Sequence, residues 1–149
     1  MLIADLILPG NVYLDLGISS KLQALQILSD KASVALGFSG NSIFQLLYAR
    51  EKLGSTGIGG GIAIPHTRVP RIAKPFGLLA RLERAIDFES VDEIPVDILF
   101  LLLTPDDDSK DRLNALACVA RRLRSEEVLQ EIRSASDVDH LYTAVASER

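Results

Sequence analysis

Apolar residues recur along this chain with two different periods, and the switches between them divide it into elements. Residues 3–16 carry short apolar runs on either side of Pro9-Gly10, which predicts extended segments around a turn. Ser20 reads as an N-cap with Gln23 as its capping-box partner. Leu22, Leu25, Leu28, Ala32, Ala35 and Leu36 then share one side of a helix that Gly37 terminates. A second helix begins within Ser39–Ser42, with Ile43, Leu46, Leu47 and Leu53 as its buried stripe and Gly54 as its stop. Phe76 to Leu82 reads as a strand, and the proline-rich, basic stretch Val69–Pro75 before it as a loop. Val96 to Leu103 is the strongest strand: after Asp97 it is apolar on both faces, as expected at the centre of a sheet covered by helices. Thr104-Pro105-Asp106-Asp107-Asp108-Ser109 predicts a turn into a helix with an acidic first turn and a stripe of Leu113, Leu116, Ala117, Ala120 and Leu123. Two shorter helices follow, over Glu126–Arg133 and from Ser136 or Asp137 to about Ala146. Two helices, strands and then more helices imply one α/β layer structure.

Between the second helix and the Val69–Pro75 loop lies the stretch around which the rest is organised. Gly54, Gly57, Gly59, Gly60 and Gly61 fall within eight residues, and such a run suggests backbone that turns sharply or approaches a ligand closely. Ile62-Ala63-Ile64 suits a short buried strand that Pro65 stops, leaving His66 at its end beside a loop rich in free N–H groups. That combination suits an anion, and phosphate is the commonest one. A strand-end histidine can equally do no more than hydrogen-bond to backbone. Arg50, in the last turn of the second helix, has two readings as well: a cation favoured by the helix dipole, or a ligand for the anion.

Composition narrows the function classes. At 149 residues, 48% hydrophobic and 24% charged, the chain suits a single soluble domain covering residues 1–149. A formal charge of −4 and the absence of tryptophan argue against nucleic acid as a partner. Met1–Leu8 lacks the pattern of an export signal and the longest apolar run, Ile98–Leu103, is far too short to span a bilayer, so a cytoplasmic protein without membrane insertion is expected. The lone Cys118 excludes an internal disulfide, and its helix face carries no signature of activation. No metal site is expected, because paired cysteines, His-x-His and HExxH are missing, and no cofactor either. The acidic run at Asp106–Asp108 is explained by a helix N-terminus. His140 sits between Asp139 and Leu141 in the final helix and reads as a solvated residue. No Gly-x-Ser-x-Gly elbow and no P-loop ending are present.

The stretch Arg50-Glu51-Lys52-Leu53-Gly54-Ser55-Thr56-Gly57-Ile58-Gly59, followed by Gly61-Ile62-Ala63-Ile64-Pro65-His66, closely resembles the phosphorylation-site motif of enzyme IIA domains of the fructose/mannitol class of the bacterial phosphotransferase system. Within that class the chain is most similar to the nitrogen-regulatory enzyme IIA branch. The likeness extends over the whole chain: the opening Ile-Leu-Pro-Gly-Asn-Val, the apolar strand ending at Thr104-Pro105 and the helix from Leu116 to Leu123 fall in family order. The resemblance implies that His66 accepts a phosphoryl group from a histidine-phosphorylated carrier similar to HPr, and that Arg50 lies against that group. A neutral imidazole is a good nucleophile near pH 7, and phosphoryl transfer is catalysed mainly by positioning and charge. The forked donors of Arg50, the hydroxyls of Ser55 or Thr56 and the N–H groups of the glycine loop, Gly57 and Gly59 among them, are the expected phosphate-binding set.

One position departs from the family. Many members carry a second histidine early in the helix after the Thr-Pro turn, and the corresponding count of 46 positions from His66 reaches Arg112. A guanidinium can bind phosphoryl oxygens but cannot accept the group or titrate near neutrality. Standing where the family carries that histidine, Arg112 is implied by the resemblance to reach the phosphoryl site as a second clamp beside Arg50 and to help lower the His66 pKa. The expectation is therefore a three-layer α/β domain, a mixed central sheet flanked by helices, with His66 in a shallow apolar depression. The expected role is a phosphoryl-carrying regulator that acts on target proteins; the alternative is a sugar-specific IIA that passes phosphate to a IIB domain.

Overall fold

The computed structural model describes residues 1–107 and 109–147. Its centre is strand β6 (Val96–Pro105), whose residues alternate between two cores. Ile98, Phe100 and Leu102 point into one, and Leu99, Leu101 and Leu103 into the other. A strand buried on both sides needs apolar residues at every position, and β6 has them from Ile98 to Leu103.

On one side β6 pairs antiparallel with β5 (Phe76–Ile86), which pairs parallel with β1 (Ile7–Leu16) at the sheet's margin. On the other side it pairs parallel with β3 (Ile62–Ala63) and, further along, with β4 (His66–Val69). A three-residue strand, β2 (Gly57–Gly59), covers β3 but not β4. The sheet is thus mixed and six-stranded among the described residues.

Helices α1 (Lys21–Leu36) and α2 (Gly40–Lys52) cover one face, burying Ala24, Leu25, Leu28, Ala32, Ile43 and Leu47. Helices α3 (Asp111–Arg122), α4 (Glu126–Ser134) and α5 (Val138–Ala146) cover the other, through Ala115, Val119, Val128, Ile132, Leu141 and Val145. This is the expected three-layer arrangement. Side-chain caps open α1, α4 and α5 at Ser20, Ser125 and Asp137: Ser20 Oγ accepts from Gln23 N at 3.1 Å, while the Gln23 side chain accepts from Ser19 N rather than closing a box with Ser20. Gly37 ends α1 at φ 76°, in the left-handed region.

Several expectations shift. Pro9-Gly10 makes no turn: β1 runs through it, and a register shift between Ile7 and Val12 absorbs it. An edge strand tolerates a proline because one row of its N–H groups has no partner to lose. β3 ends at Ala63, ahead of Pro65 as expected, but a further strand, β4, begins at His66, so His66 opens a strand and Val69 closes it rather than opening a loop. Leu53 is not buried but 86% exposed, and Leu22 and Ala35 also lie outside the core. In α3 the buried side is set by Ala115 and Val119, and Leu123 continues it at the C-cap. Leu113 is consequently 61% exposed. Only Asp111 lies in its first turn; Asp106 and Asp107 belong to the preceding turn, and Asp108 lies outside the described residues.

Gly77 tests the tightness of the core. A Cβ there would lie 2.9 Å from both Leu6 O and the Phe100 ring. Gly77→Ala is expected to lower the urea midpoint with an unchanged m-value, at a cost of about 1–3 kcal/mol.

Candidate functional site

The position of His66 follows from a break in the sheet edge. Ile64 N donates to Thr56 O at 3.0 Å and Leu102 N donates to Pro65 O at 2.9 Å, so the chain stays aligned with β6 across the proline. His66 then opens β4 opposite Leu102, at an edge that no further strand covers. Its Nδ1 lies 2.7 Å from the Ile64 carbonyl. A carbonyl only accepts, so in the neutral ring the proton is assigned to Nδ1 and the lone pair to Nε2.

His66 lines a depression of about 590 Å³ at this edge, between α2 and α3. Leu46, Ala49, Arg50 and Leu53 form one wall. Arg112, Leu113 and Leu116 form the opposite wall. Arg68 of β4 and Thr104 and Asp106 at the end of β6 close one side. The exposed Leu53 and Leu113, both assigned to buried stripes by sequence, are rim residues of this depression.

Burial lowers the His66 pKa from its ordinary 6.5; the bond to Ile64 O opposes this, the Arg50 guanidinium adds to it, and Glu51 opposes it. Of the two arginines expected to depress that pKa, Arg50 is the one that does so; Arg112 shares the depression without being among the causes of the shift. Arg50 stands in the last turn of α2, where the helix dipole favours a cation. It lines the depression, and its Nη1 donates to Gly54 O at 3.0 Å beyond the end of α2.

Ser55, Thr56, Gly57 and Gly59 do not line the depression. Ser55 Oγ donates to Phe88 O at 2.8 Å and accepts from Gly57 N. Thr56 N and Oγ1 both donate to the Glu51 carboxylate. Gly59, Gly60 and Gly61 have φ of 96°, 68° and 85°, so these glycines serve the tight connection from β2 to β3. His140 is exposed at the start of α5, where its N–H donates to the capping Asp137. Among the described residues no group of three or more His, Cys, Asp or Glu could hold a metal, and no helix is long and apolar enough to cross a membrane.

Sequence reasoning missed Glu51, which is 7% exposed and takes a 2.7 Å ion pair from Lys21 as well as the two bonds from Thr56. A charged residue next to Arg50 gave no sign of being buried. It also missed Arg68, although strand periodicity puts it on the face that carries His66.

The family model of the phosphoenolpyruvate-dependent sugar phosphotransferase system, EIIA 2, matches residues 5–148. The chain belongs to that family. Among relatives of this EIIA 2 protein, the nitrogen regulatory protein of Bradyrhizobium diazoefficiens is 45% identical over 146 residues, covering 98% of this chain and 95% of the relative. The crystal structure of nitrogen regulatory protein IIA-Ntr from Neisseria meningitidis superposes with a TM-score of 0.90 at 26% identity, covering 97% of this chain and 99% of that one. The fold is also that of the mannitol enzyme IIA from Escherichia coli in its complex with phosphorylated enzyme IIB (TM-score 0.76, 17% identity, 93% of this chain and 95% of that one).

Because the folded His66 resists protonation, the unfolded chain binds more protons just below pH 6.5, and stability rises with pH there. The contribution of His66 is complete above about 6.5 and declines as pH falls, until the folded pKa is passed. NMR titration should find His66 below 6.5 in the wild type and closer to it in Arg50→Gln. His66→Gln should flatten the stability profile in this window.

Proposed function

We propose that this EIIA 2 protein is a phosphoryl carrier and regulator of the nitrogen-regulatory kind, phosphorylated on Nε2 of His66. The observation that carries the proposal is the imidazole's setting: Nδ1 engaged by Ile64 O, Nε2 without a hydrogen-bond partner among the described residues, and Arg50 and Arg112 lining the same depression. The donor is a phosphohistidine on an HPr-like carrier protein. As its P–N bond breaks, the electron pair returns to the carrier's ring while the Nε2 lone pair forms the new bond. Two guanidinium forks offset the charge on the transferring oxygens. Nδ1–H keeps its bond to Ile64 O throughout, which holds the ring still and steadies positive charge developing on it. A neutral imidazole at pH 7, secured by burial and by Arg50, is the reactive form. No nucleotide, metal or other cofactor is needed, because the donor group is already activated.

The exposed Leu53 and Leu113 at the rim suit the docking of a carrier whose own active histidine must come within bonding distance of Nε2. The names of the relatives support the regulatory role, in which the protein works in the cytoplasm and reports the phosphorylation state of the relay by binding or releasing target proteins. The alternative, transfer onward to a IIB domain in sugar uptake, draws on the fold shared with a mannitol enzyme IIA seen with its phosphorylated IIB. Arg112, which cannot itself accept a phosphoryl group, weighs on the regulatory side.

Incubation with the phosphorylated carrier should add one acid-labile, alkali-stable phosphate. His66→Ala should abolish it and His140→Ala should not; the reverse would overturn the assignment. Arg50→Lys keeps the charge but loses the fork, and should slow incorporation by about tenfold. Transfer to a IIB domain as fast as the return to the carrier would favour the sugar-specific role.

A further inference from the structure

We propose that Arg68 is an exchangeable ligand: paired with Asp106 while His66 is bare, it turns to the phosphoryl oxygens once Nε2 is phosphorylated, and the released Asp106 marks the phosphorylated face. The proposal rests on the phosphorylation of His66 set out above and adds how that state becomes visible at the surface.

Geometry carries it. His66 and Arg68 are two residues apart on β4, on one face and about 7 Å apart along the strand. The parallel pairing sets them opposite Leu102 and Thr104 of β6, and Asp106 follows two residues after Thr104. His66, Arg68 and Asp106 all line the same depression. Arg68 Nη1 lies 3.8 Å from Asp106 Oδ1, with the two side chains 45% and 53% exposed. That is a loose pair in high dielectric, worth little to the fold.

Phosphorylation alters the balance. A phosphoryl group on Nε2 brings nearly two negative charges and three acceptor oxygens into the depression, against one charge on Asp106. It also offers the guanidinium a bidentate partner in a less exposed place. Asp106, left beside a dianion of like charge, is repelled from it. The rim then loses the cation that faces Asp106 and Asp107 and shows uncovered carboxylates, a difference that a target protein can read by charge.

The test is the equilibrium of phosphate exchange between the phosphorylated carrier and this protein, measured for the wild type, Arg68→Gln, Asp106→Asn and the double variant. Arg68→Gln should shift the equilibrium toward the carrier by about tenfold, the size of one charge-assisted hydrogen bond. Asp106→Asn should shift it the other way by about threefold, because a competing anion and a like charge are both removed. In the double variant the Asp106→Asn gain should shrink, since no guanidinium remains to be released. Damage to the fold would move both single variants in the same direction. An unchanged equilibrium in Arg68→Gln, or shifts of like sign in the two single variants, overturns the exchange. If the wild type takes up no phosphate at all, the His66 assignment falls and the exchange falls with it.

Discussion

A buried carboxylate holds this site together. Glu51 sits at the end of α2 with almost no solvent contact, a position that is costly for a charge unless donors surround it. Lys21 from the start of α1 and both donors of Thr56 supply them. The chain of bonds does not stop there. Thr56 O accepts from Ile64 N, and Ile64 O holds His66 Nδ1. Three consecutive contacts thus connect a structural carboxylate to the imidazole, while the preceding residue, Arg50, lines the depression beside that ring. The same two neighbours act on the ring with opposite sign, Arg50 lowering its pKa and Glu51 raising it. Burial, the largest influence, decides the outcome in favour of the neutral form.

The sheet explains why the depression lies where it does. β6 needs cover on both faces and receives two helices on one and three on the other. Its partner edge is interrupted at Pro65, and β2 protects only the first half of that edge. β4 is therefore left between the flanks of α2 and α3, and the side chains meeting there come from both helical layers and from the sheet. Arg81 and Arg122 brace the layer of α3, α4 and α5 from within: Arg81 donates to Ile132 O and Ala135 O at the end of α4, and Arg122 to Ala144 O, Val145 O and Ser147 O at the end of α5. With the C-terminal carbonyls of α4 and α5 satisfied, both helices can end in place against the sheet.

Much of this was legible in the residues. The doubly apolar run of β6, the Ser20 and Gly37 boundaries of α1 and the histidine after Pro65 each have a local cause that sequence displays. What was misread depends on tertiary context. Pro9-Gly10 looks like a turn until its strand is known to be at an edge. Leu53 and Leu113 continue helical stripes by spacing, yet the core stops short of them, and apolar periodicity cannot tell a core from the exposed rim of a depression. The glycine run suggested an anion cradle, whereas its left-handed φ values serve a hairpin and its neighbours' hydroxyls are committed to Phe88 O and Glu51. Glu51 itself was invisible, because its partners lie 30 residues before it, at Lys21, and five after it, at Thr56.

The claim on which all else turns is that His66 reacts through Nε2, because Nδ1 is already spoken for. The direct measurement is phosphorus–nitrogen scalar coupling by NMR on the phosphorylated protein labelled with nitrogen-15. The phosphorus should couple to Nε2 of the His66 ring, with Nδ1 still protonated and bonded to Ile64 O. Coupling to Nδ1 of His66, or to a nitrogen of His140, would contradict the account.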